Sequence, residues 1–285
     1  MDVLEDTNWF FLWNLSAYTI LFLFGGALAS FYSTLADRIL YYCYEKGRKE
    51  FQGQKRWRVI FTKPSHCPKC QTPIKNLHLI PILGWFLTKR QCNSCHVIIP
   101  KLYPLSEFLF GIIAILVYYI SDSLPGTISL LFFFGHLFIS MMTDAKKLSL
   151  DYENLPFLIS FGFLSNYLLF AESLSLEHLY VFLGFLVFYL TIYLLFRGGT
   201  GLGDVLFSPV FAGIAGNPFW MVYLNTSYVL AAVMTLFLRK KGTPLKGTKV
   251  PMGLYFSLGL FFTFFYKLIV HYFDWEGFLP DGTIE

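Results

Sequence analysis

Four cysteines in two short pairs and two well-placed aspartates are the residues of this chain whose types and spacing could do chemistry. Cys67-Pro68-Lys69-Cys70 is followed, 21 residues later, by Cys92-Asn93-Ser94-Cys95. Each CxxC turn can aim two thiolates at one ion, and two turns complete the tetrahedral shell that zinc prefers. The interval is slightly wider than is usual for this pattern. Disulfides and a redox pair are the alternatives. A redox motif needs only one CxxC, and disulfides do not persist in a reducing compartment. Four ligands leave no open coordination position, so a metal held here is structural and not hydrolytic. His66 and His96 flank the turns and read as exposed neighbours, and Cys43 reads as a free thiol.

The acids are Asp144, in Met141-Met142-Thr143-Asp144, and Asp204, directly after Gly201-Leu202-Gly203. Two carboxylates within a few ångströms do not ionise together comfortably and share a proton. The charged partner can then draw a proton from water while the neutral one hydrogen-bonds a scissile carbonyl, which is general acid–base chemistry for peptide hydrolysis. Gly201 and Gly203 would let a substrate backbone approach closely. Acids are also common in interfacial loops, and Asp151 and Glu153 stand nearby, so residue chemistry alone leaves a plain solvated reading open.

The elements that must position these groups follow from composition. Of 285 residues, 55% are hydrophobic, 20% aromatic and only 14% charged, against roughly 25% charged in an ordinary soluble domain. This excludes intrinsic disorder and argues against a soluble enzyme. A spanning helix needs about 20 mostly apolar residues. Eight candidate segments occur, at 9–36, 105–121, 126–143, 155–170, 178–196, 205–215, 219–238 and 250–273. The sixth is short and carries Pro209 and Gly213, with Gly216 just beyond, which reads as a broken or partial span. The expected fold is an all-α polytopic membrane protein of about eight transmembrane helices, with a small zinc-binding cytoplasmic subdomain between the first two. Its divisions would be 1–36, a first transmembrane segment; 37–103, the zinc loop; and 104–285, a transmembrane catalytic domain.

Lysine and arginine orient the spans, because cytoplasmic loops carry an excess of both. Residues 37–103 hold 13 Lys/Arg and 3 Asp/Glu, so that loop is placed in the cytoplasm. With eight crossings the inner loops also take Lys146, Lys147, Arg197 and the basic residues of 239–249, leaving only Lys267, inside the last segment. The outer segments then carry acids alone, among them Glu172 and Glu177, and both termini are extracytoplasmic. The first span reads as an uncleaved anchor, since its apolar run is too long for a signal peptide. The basic loop suits anionic lipid headgroups, and no nucleic-acid recognition motif accompanies it.

The residues also carry a resemblance. Gly201-Leu202-Gly203-Asp204 resembles the GxGD motif of intramembrane aspartyl proteases, which include presenilins and the bacterial prepilin peptidases. The cysteine block points to the second group. Pro64-Ser65-His66-Cys67-Pro68-Lys69-Cys70, Ile80-Pro81, Cys92-Asn93-Ser94-Cys95 and Tyr103-Pro104-Leu105-Ser106-Glu107 follow the prepilin peptidase order. Ala29-Ser30-Phe31 and Val250-Pro251-Met252-Gly253 are similar to that family's opening and late motifs. The resemblance implies a bacterial inner-membrane enzyme that removes the basic leader from type IV prepilins or pseudopilins at the cytoplasmic face. Many members then N-methylate the new terminus with S-adenosylmethionine. It implies that Asp144 and Asp204 are catalytic and that Cys67, Cys70, Cys92 and Cys95 bind zinc. Three departures stand out. Leu150-Asp151 lacks the family's preceding Pro, Leu206 replaces its usual Lys, and residues near 41–59 are extra. Asp151 is the fallback for Asp144, and Glu107 and Glu153 are candidate readers of a basic leader. A catalytically inactive pilin-binding relative and an ion-coupled membrane transporter are the competing readings.

Overall fold

The computed structural model describes residues 3–67, 69–196, 201–238 and 249–273. Pro68, Arg197, the basic residues of 239–248 and the acids at 2, 274, 276, 281 and 285, which entered the charge partition, lie outside the described residues. Among the described residues there is no β-strand, only two isolated bridges, His66 to Pro73 and Gln91 to Ile98. The chain divides into two units, residues 1–122 and 123–285.

The first unit is built on two long helices, α1 (Val3–Ile39) and α4 (Leu102–Ser121), packed along each other. Their approach is close enough that a side chain at Gly25 would meet the Phe110 carbonyl oxygen at 2.5 Å. Between them lie α2 (Gly53–Thr62), the short α3 (Leu83–Leu87) and the cysteine turns. α2 falls within and just beyond the extra residues near 41–59, and its strongly basic sequence hid it from a search for apolar runs. Polar side chains fasten this region. Tyr103 donates a hydrogen bond to Asp37, and buried Ser33 and Ser106 meet at 3.3 Å.

The second unit contains α5 (Leu124–Lys147), α6 (Leu155–Phe170), α7 (Leu176–Leu195), α8 (Leu202–Ala215), α9 (Trp220–Leu238) and α10 (Met252–Tyr272). α10 is the hub, packing on α5, α8 and α9, while α6 lies on α5 and α7 on α8. Phe133, Phe134 and Phe264 fill the α5–α10 seam, with Phe133 and Phe264 ring centres 5.0 Å apart. α7 does the opposite, exposing Val187, Phe188, Leu194 and Leu195. Apolar surface on that scale is suited to lipid and not to water.

Each of the eight apolar segments coincides with a helix, and six of the helices are long and apolar enough to cross a membrane. The other two are α6, of 16 residues, and α8, of 14. At ~1.5 Å per residue these reach roughly 24 and 21 Å, short of a hydrocarbon core of about 30 Å. α8 is continuous through Pro209 and is not broken there. Most of it is buried by protein, so its length need not match lipid.

Candidate functional site

At one end of the second unit three elements bring polar atoms together. Asp144 lies in the last turn of α5 and is only 6% exposed. Its Oδ2 accepts the Leu254 N–H at 3.0 Å and its carboxylate also takes the Gly253 N–H, both at the start of α10. These donors are free because the first N–H groups of a helix have no partner within it. Asp204 sits in the first turn of α8, where its Oδ2 accepts the Gly201 N–H at 3.1 Å. That bond caps the helix, and an acid there also suits the positive end of the helix dipole. Both acids border the same packing piece, since Leu150 lies against Gly203, next to Asp204, and against Gly253, whose N–H meets Asp144.

Leu150 is the packing piece between these elements. Its side chain is buried and lies 3.4 Å from where a Cβ on Gly203 would be, and 2.7 Å from the same point on Gly253. Gly253 therefore has to lack a side chain for α10 to bring its N–H groups to Asp144. Among the described residues, a Cβ on Gly201 would come nearest to the Asp204 carboxylate, at 3.6 Å. Of the two glycines expected to admit a substrate backbone, Gly203 faces Leu150, and Gly201 lies beside the Asp204 carboxylate.

Asp151, next to Leu150, makes different contacts. Its Oδ1 accepts the Glu153 N–H at 3.2 Å, capping the turn Tyr152–Asn154, and its buried Oδ2 has no partner among the described residues. Burial, reinforced by the Glu153 charge, pushes its carboxyl up to about 6. The next residue of consequence, Asn154, ties the turn to α5 by donating to the His136 carbonyl at 2.8 Å and to Ser140 Oγ at 3.0 Å. Leu206, where the related pattern has Lys, is exposed.

Two polar groups escaped the sequence reading. Behind Asp204, Tyr189 and Tyr228 hydroxyls meet at 2.9 Å and Tyr223 donates to Ser208 Oγ at 3.0 Å. At the far end of α8, Lys267 Nζ, 1% exposed, pairs with Glu172 at 2.6 Å and donates to Asn166 Oδ1 at 3.0 Å and to the Ala215 carbonyl at 3.3 Å. Asn166 Nδ2 donates to the adjacent Ile214 carbonyl at 2.7 Å. Tyrosines in an aromatic-rich chain give no signal of their own. Lys267 did give one, as an ionisable residue inside an apolar segment, where a partner is the rule.

The metal-capable group lies in the first unit. The sulfurs of Cys67, Cys70, Cys92 and Cys95 all lie within 4.8 Å of one another, with Cys67–Cys95 at 3.7 Å and Cys70–Cys92 at 3.8 Å. A tetrahedral ion with ~2.3 Å bonds to sulfur requires edges of about 3.8 Å, whereas a disulfide requires about 2.05 Å. The two turns share one backbone design. Cys67 and Cys92 N–H groups donate to the Thr72 and Val97 carbonyls, and Gln71 and His96 occupy the left-handed region between them. Hydrogen bonds from Thr72 pull the Cys70 thiol down to about 6. At Cys95 a bond from Val97 also favours the thiolate, but desolvation and the three neighbouring sulfurs outweigh it and push the thiol up to about 11. Four such sulfurs do not ionise together without a cation among them. His66 Nδ1 bonds instead to the Pro64 carbonyl at 2.9 Å, and His96 is exposed.

Glu107 has a structural partner. Its Oε2 takes the Ile82 N–H at 2.6 Å, and it is 7% exposed. Ile82 has φ 63°, a rare conformation for a β-branched residue, so Glu107 holds a strained turn. Glu153 is exposed.

Comparison with known proteins gives a consistent picture. Residues 23–121 match the model of the bacterial peptidase A24 N-terminal domain, and residues 131–236 match that of the type IV leader peptidase family. A type 4 prepilin-like proteins leader peptide-processing enzyme of Escherichia coli is 27% identical, over 74% of this chain and 80% of its own length. A prepilin leader peptidase/N-methyltransferase of Bacillus subtilis is 29% identical, over 78% and 86%. One from Stutzerimonas stutzeri is 27% identical, over 70% of each chain. No solved structure matches.

Proposed function

The chain belongs to the type IV leader peptidase family of prepilin-processing enzymes, and from that premise we propose that Asp144 and Asp204 are its catalytic pair. The observation that carries the assignment is their juxtaposition, with each carboxylate anchored by main-chain N–H groups at a helix start. The pair shares one proton. The charged member takes a proton from water as the water attacks the carbonyl carbon, and the neutral member donates a hydrogen bond to the carbonyl oxygen. Anchoring by backbone keeps both carboxylates oriented before substrate arrives, which is where most of the rate advantage of such sites comes from. An extended leader would lie beside Gly201, where the side chain is absent next to the Asp204 carboxylate.

The catalytic portion is assigned to residues 104–285 and the zinc-binding portion to 37–103. Zinc fits the four sulfurs by ligand type, number and edge length, and in this role it holds the two turns together and takes no part in hydrolysis. The protein is a multi-pass inner-membrane protein. We place the cysteine loop and the aspartates on the cytoplasmic side and the termini outside, with eight crossings. Support comes from Lys146 and Lys147 beside Asp144, and from the shielding of the short α8 by its neighbours. Methylation of the new terminus rests on the relatives' names alone. It would draw on S-adenosylmethionine, to which no side-chain arrangement described above assigns a place. The transporter reading is not favoured, since it gives the cysteine cluster no role.

The decisive test is purified full-length protein acting on a prepilin in mixed micelles. Asp144→Asn and Asp204→Asn should each lower cleavage at least ~1,000-fold, the scale of losing an acid–base partner, while leaving the folded state intact by circular dichroism. Cleavage surviving either change would remove that residue from the mechanism, and an intact protein inert on every prepilin would favour the inactive pilin-binding relative. Metal analysis should find about one zinc per chain. It should be lost when Cys67 and Cys92 are both replaced by Ser, and a metal-free protein of unchanged stability would refute the site.

A further inference from the structure

One face of α1 borders a cavity within the first unit. Residues 27, 30, 31, 34, 35 and 38 follow the 3–4 spacing of a single helical stripe, and they line an open-sided cavity of about 380 Å³ whose other walls are α2, the segment just after it and Pro81. Arg38 and Lys63 are its cations, Arg38 at one end of the α1 stripe, and the Ser30, Thr34 and Ser65 hydroxyls also line it. Ala27, Phe31 and Leu35 supply apolar surface along the helix, with Ala27 at the apolar end of the stripe. Eleven residues of helix separate Arg38 from Ala27, or roughly 16 Å. α1 is one of the six helices able to cross a membrane, and Arg38 lies near the end of that stretch. The cations therefore lie toward headgroup depth and the apolar end runs toward the acyl chains.

Among the described residues no acid lines the cavity and neither cation is ion-paired. Arg38 spends one N–H on the Ile60 carbonyl at 2.6 Å, and Lys63 donates to the Tyr42 hydroxyl at 3.1 Å. These bonds fix both side chains and leave the remaining N–H groups of each for a ligand. Phe61, 56% exposed and stacked with Trp57, continues the apolar wall outward from a helix that also carries Lys55, Arg56 and Arg58. An interfacial helix combines an apolar side with basic residues in this way.

We propose that this cavity is a binding site for one anionic glycerophospholipid of the bilayer, its phosphate held between Arg38 and Lys63 and its upper acyl segments lying along Ala27 and Phe31. The amphiphilic shape excludes a small inorganic anion as the fitting occupant, and the two cations disfavour a positively charged ligand. α2 supplies one wall through Ile60 and Phe61, just beyond the extra residues near 41–59.

The test uses the full-length protein in a neutral maltoside detergent, titrated with phosphatidylglycerol or with phosphatidylcholine of the same acyl chains. Native mass spectrometry reads the lipid retained and thermal unfolding reads the stabilisation. Phosphatidylglycerol should be retained one per protein and bind at least ~5-fold more tightly than phosphatidylcholine. Lys63→Gln should remove most of that preference, and Arg38→Gln should do the same where the variant folds. Lys89→Gln, a charge change elsewhere in the loop, should leave it unaltered. Equal retention of both lipids overturns the site. So does a Lys63→Gln protein that binds like wild type, or a Lys89→Gln protein that loses as much, which would mean diffuse attraction. If inorganic phosphate reproduces the stabilisation, the lipid assignment is wrong and the site takes free phosphate.

Discussion

Replacing Lys267 by Met tests the logic of the second unit most directly. Met fills much of the volume of the lysine stem but removes the ammonium. Three contacts are lost together, to Glu172, to Asn166 Oδ1 and to the Ala215 carbonyl, along with placement over the Phe170 and Phe219 rings at 4.9 and 5.0 Å. Removing one member of a buried ion pair costs about 3–5 kcal/mol, because the other charge is left without a partner. Glu172 keeps 30% of its side chain exposed, so water recovers part of that, and the lower figure of ~3 kcal/mol is expected. The double change Lys267→Met with Glu172→Gln leaves no stranded charge and should regain at least ~1 kcal/mol. Denaturation midpoints of the three variants in one detergent read both quantities. Activity should fall with the single variant and partly return with the double, because Asn166 and Lys267 hold the last carbonyls of the helix whose first turn bears Asp204. A single variant within ~1 kcal/mol of wild type, or a double variant no better than the single, would refute this account.

Two further predictions concern the other end. Asp151 has its carboxyl raised to about 6 by burial, against an ordinary carboxylate in the unfolded chain. The unfolded state therefore ionises first, and stability should fall as pH rises from about 4 through about 6, by ~3 kcal/mol in all. Asp151→Asn should remove that slope in pH-dependent unfolding while keeping prepilin cleavage. Loss of cleavage would instead favour Asp151 as a catalytic acid. At Gly253 an added methyl would meet three Leu150 carbons at 2.7 to 2.9 Å. Gly253→Ala should lower cleavage at least ~10-fold, about 1.4 kcal/mol of misplacement, and Leu150→Ala in the same protein should restore part of it. No rescue would mean that the glycine matters for some reason other than Leu150.

How much of this was legible depended on what kind of signal each residue sends. Apolar runs located every long helix, since burial in lipid needs continuous hydrophobicity and little else. They misjudged ends. The segment at 205–215 stopped short of Asp204, yet α8 begins at Leu202 because the Asp204 carboxylate caps it through Gly201. A capping interaction is local and polar, so a hydropathy reading trims it away. Cysteine spacing located the metal-capable cluster because ligand geometry is imposed by the ion and repeats in sequence. What stayed hidden was tertiary pairing. Glu172 and Lys267 are 95 residues apart, and the sequence sorted one as an outer acid and the other as an isolated base. Leu150 looked like a mere gap in a motif, because its role depends on two glycines that follow it by 53 and 103 positions.

The distribution of motif residues invites a mistaken inference about where the chemistry lies. The first unit has most of them, and those with observed partners bond to one another or to backbone. Tyr103 bonds to Asp37, Glu107 to Ile82, Ser106 to Ser33, and the cysteines cluster together. Each is a polar group that a helix pair beside a membrane could not bury unless it was satisfied. They keep a polar excursion of the chain folded. The proposed hydrolytic centre uses only two side chains, because its other polar contacts are backbone N–H groups at the starts of α8 and α10. Main-chain donors carry no residue signature, so such a site reads as a short Gly-x-Gly-Asp and a distant Pro-Met-Gly. Sparse sequence evidence is therefore what an intramembrane carboxylate pair held by helix ends should produce. A substitution survey of this chain should find the first unit sensitive mainly through folding. Around Asp144 and Asp204, sensitivity should concentrate at the two acids and at the glycines and Leu150 that let the helix ends reach them.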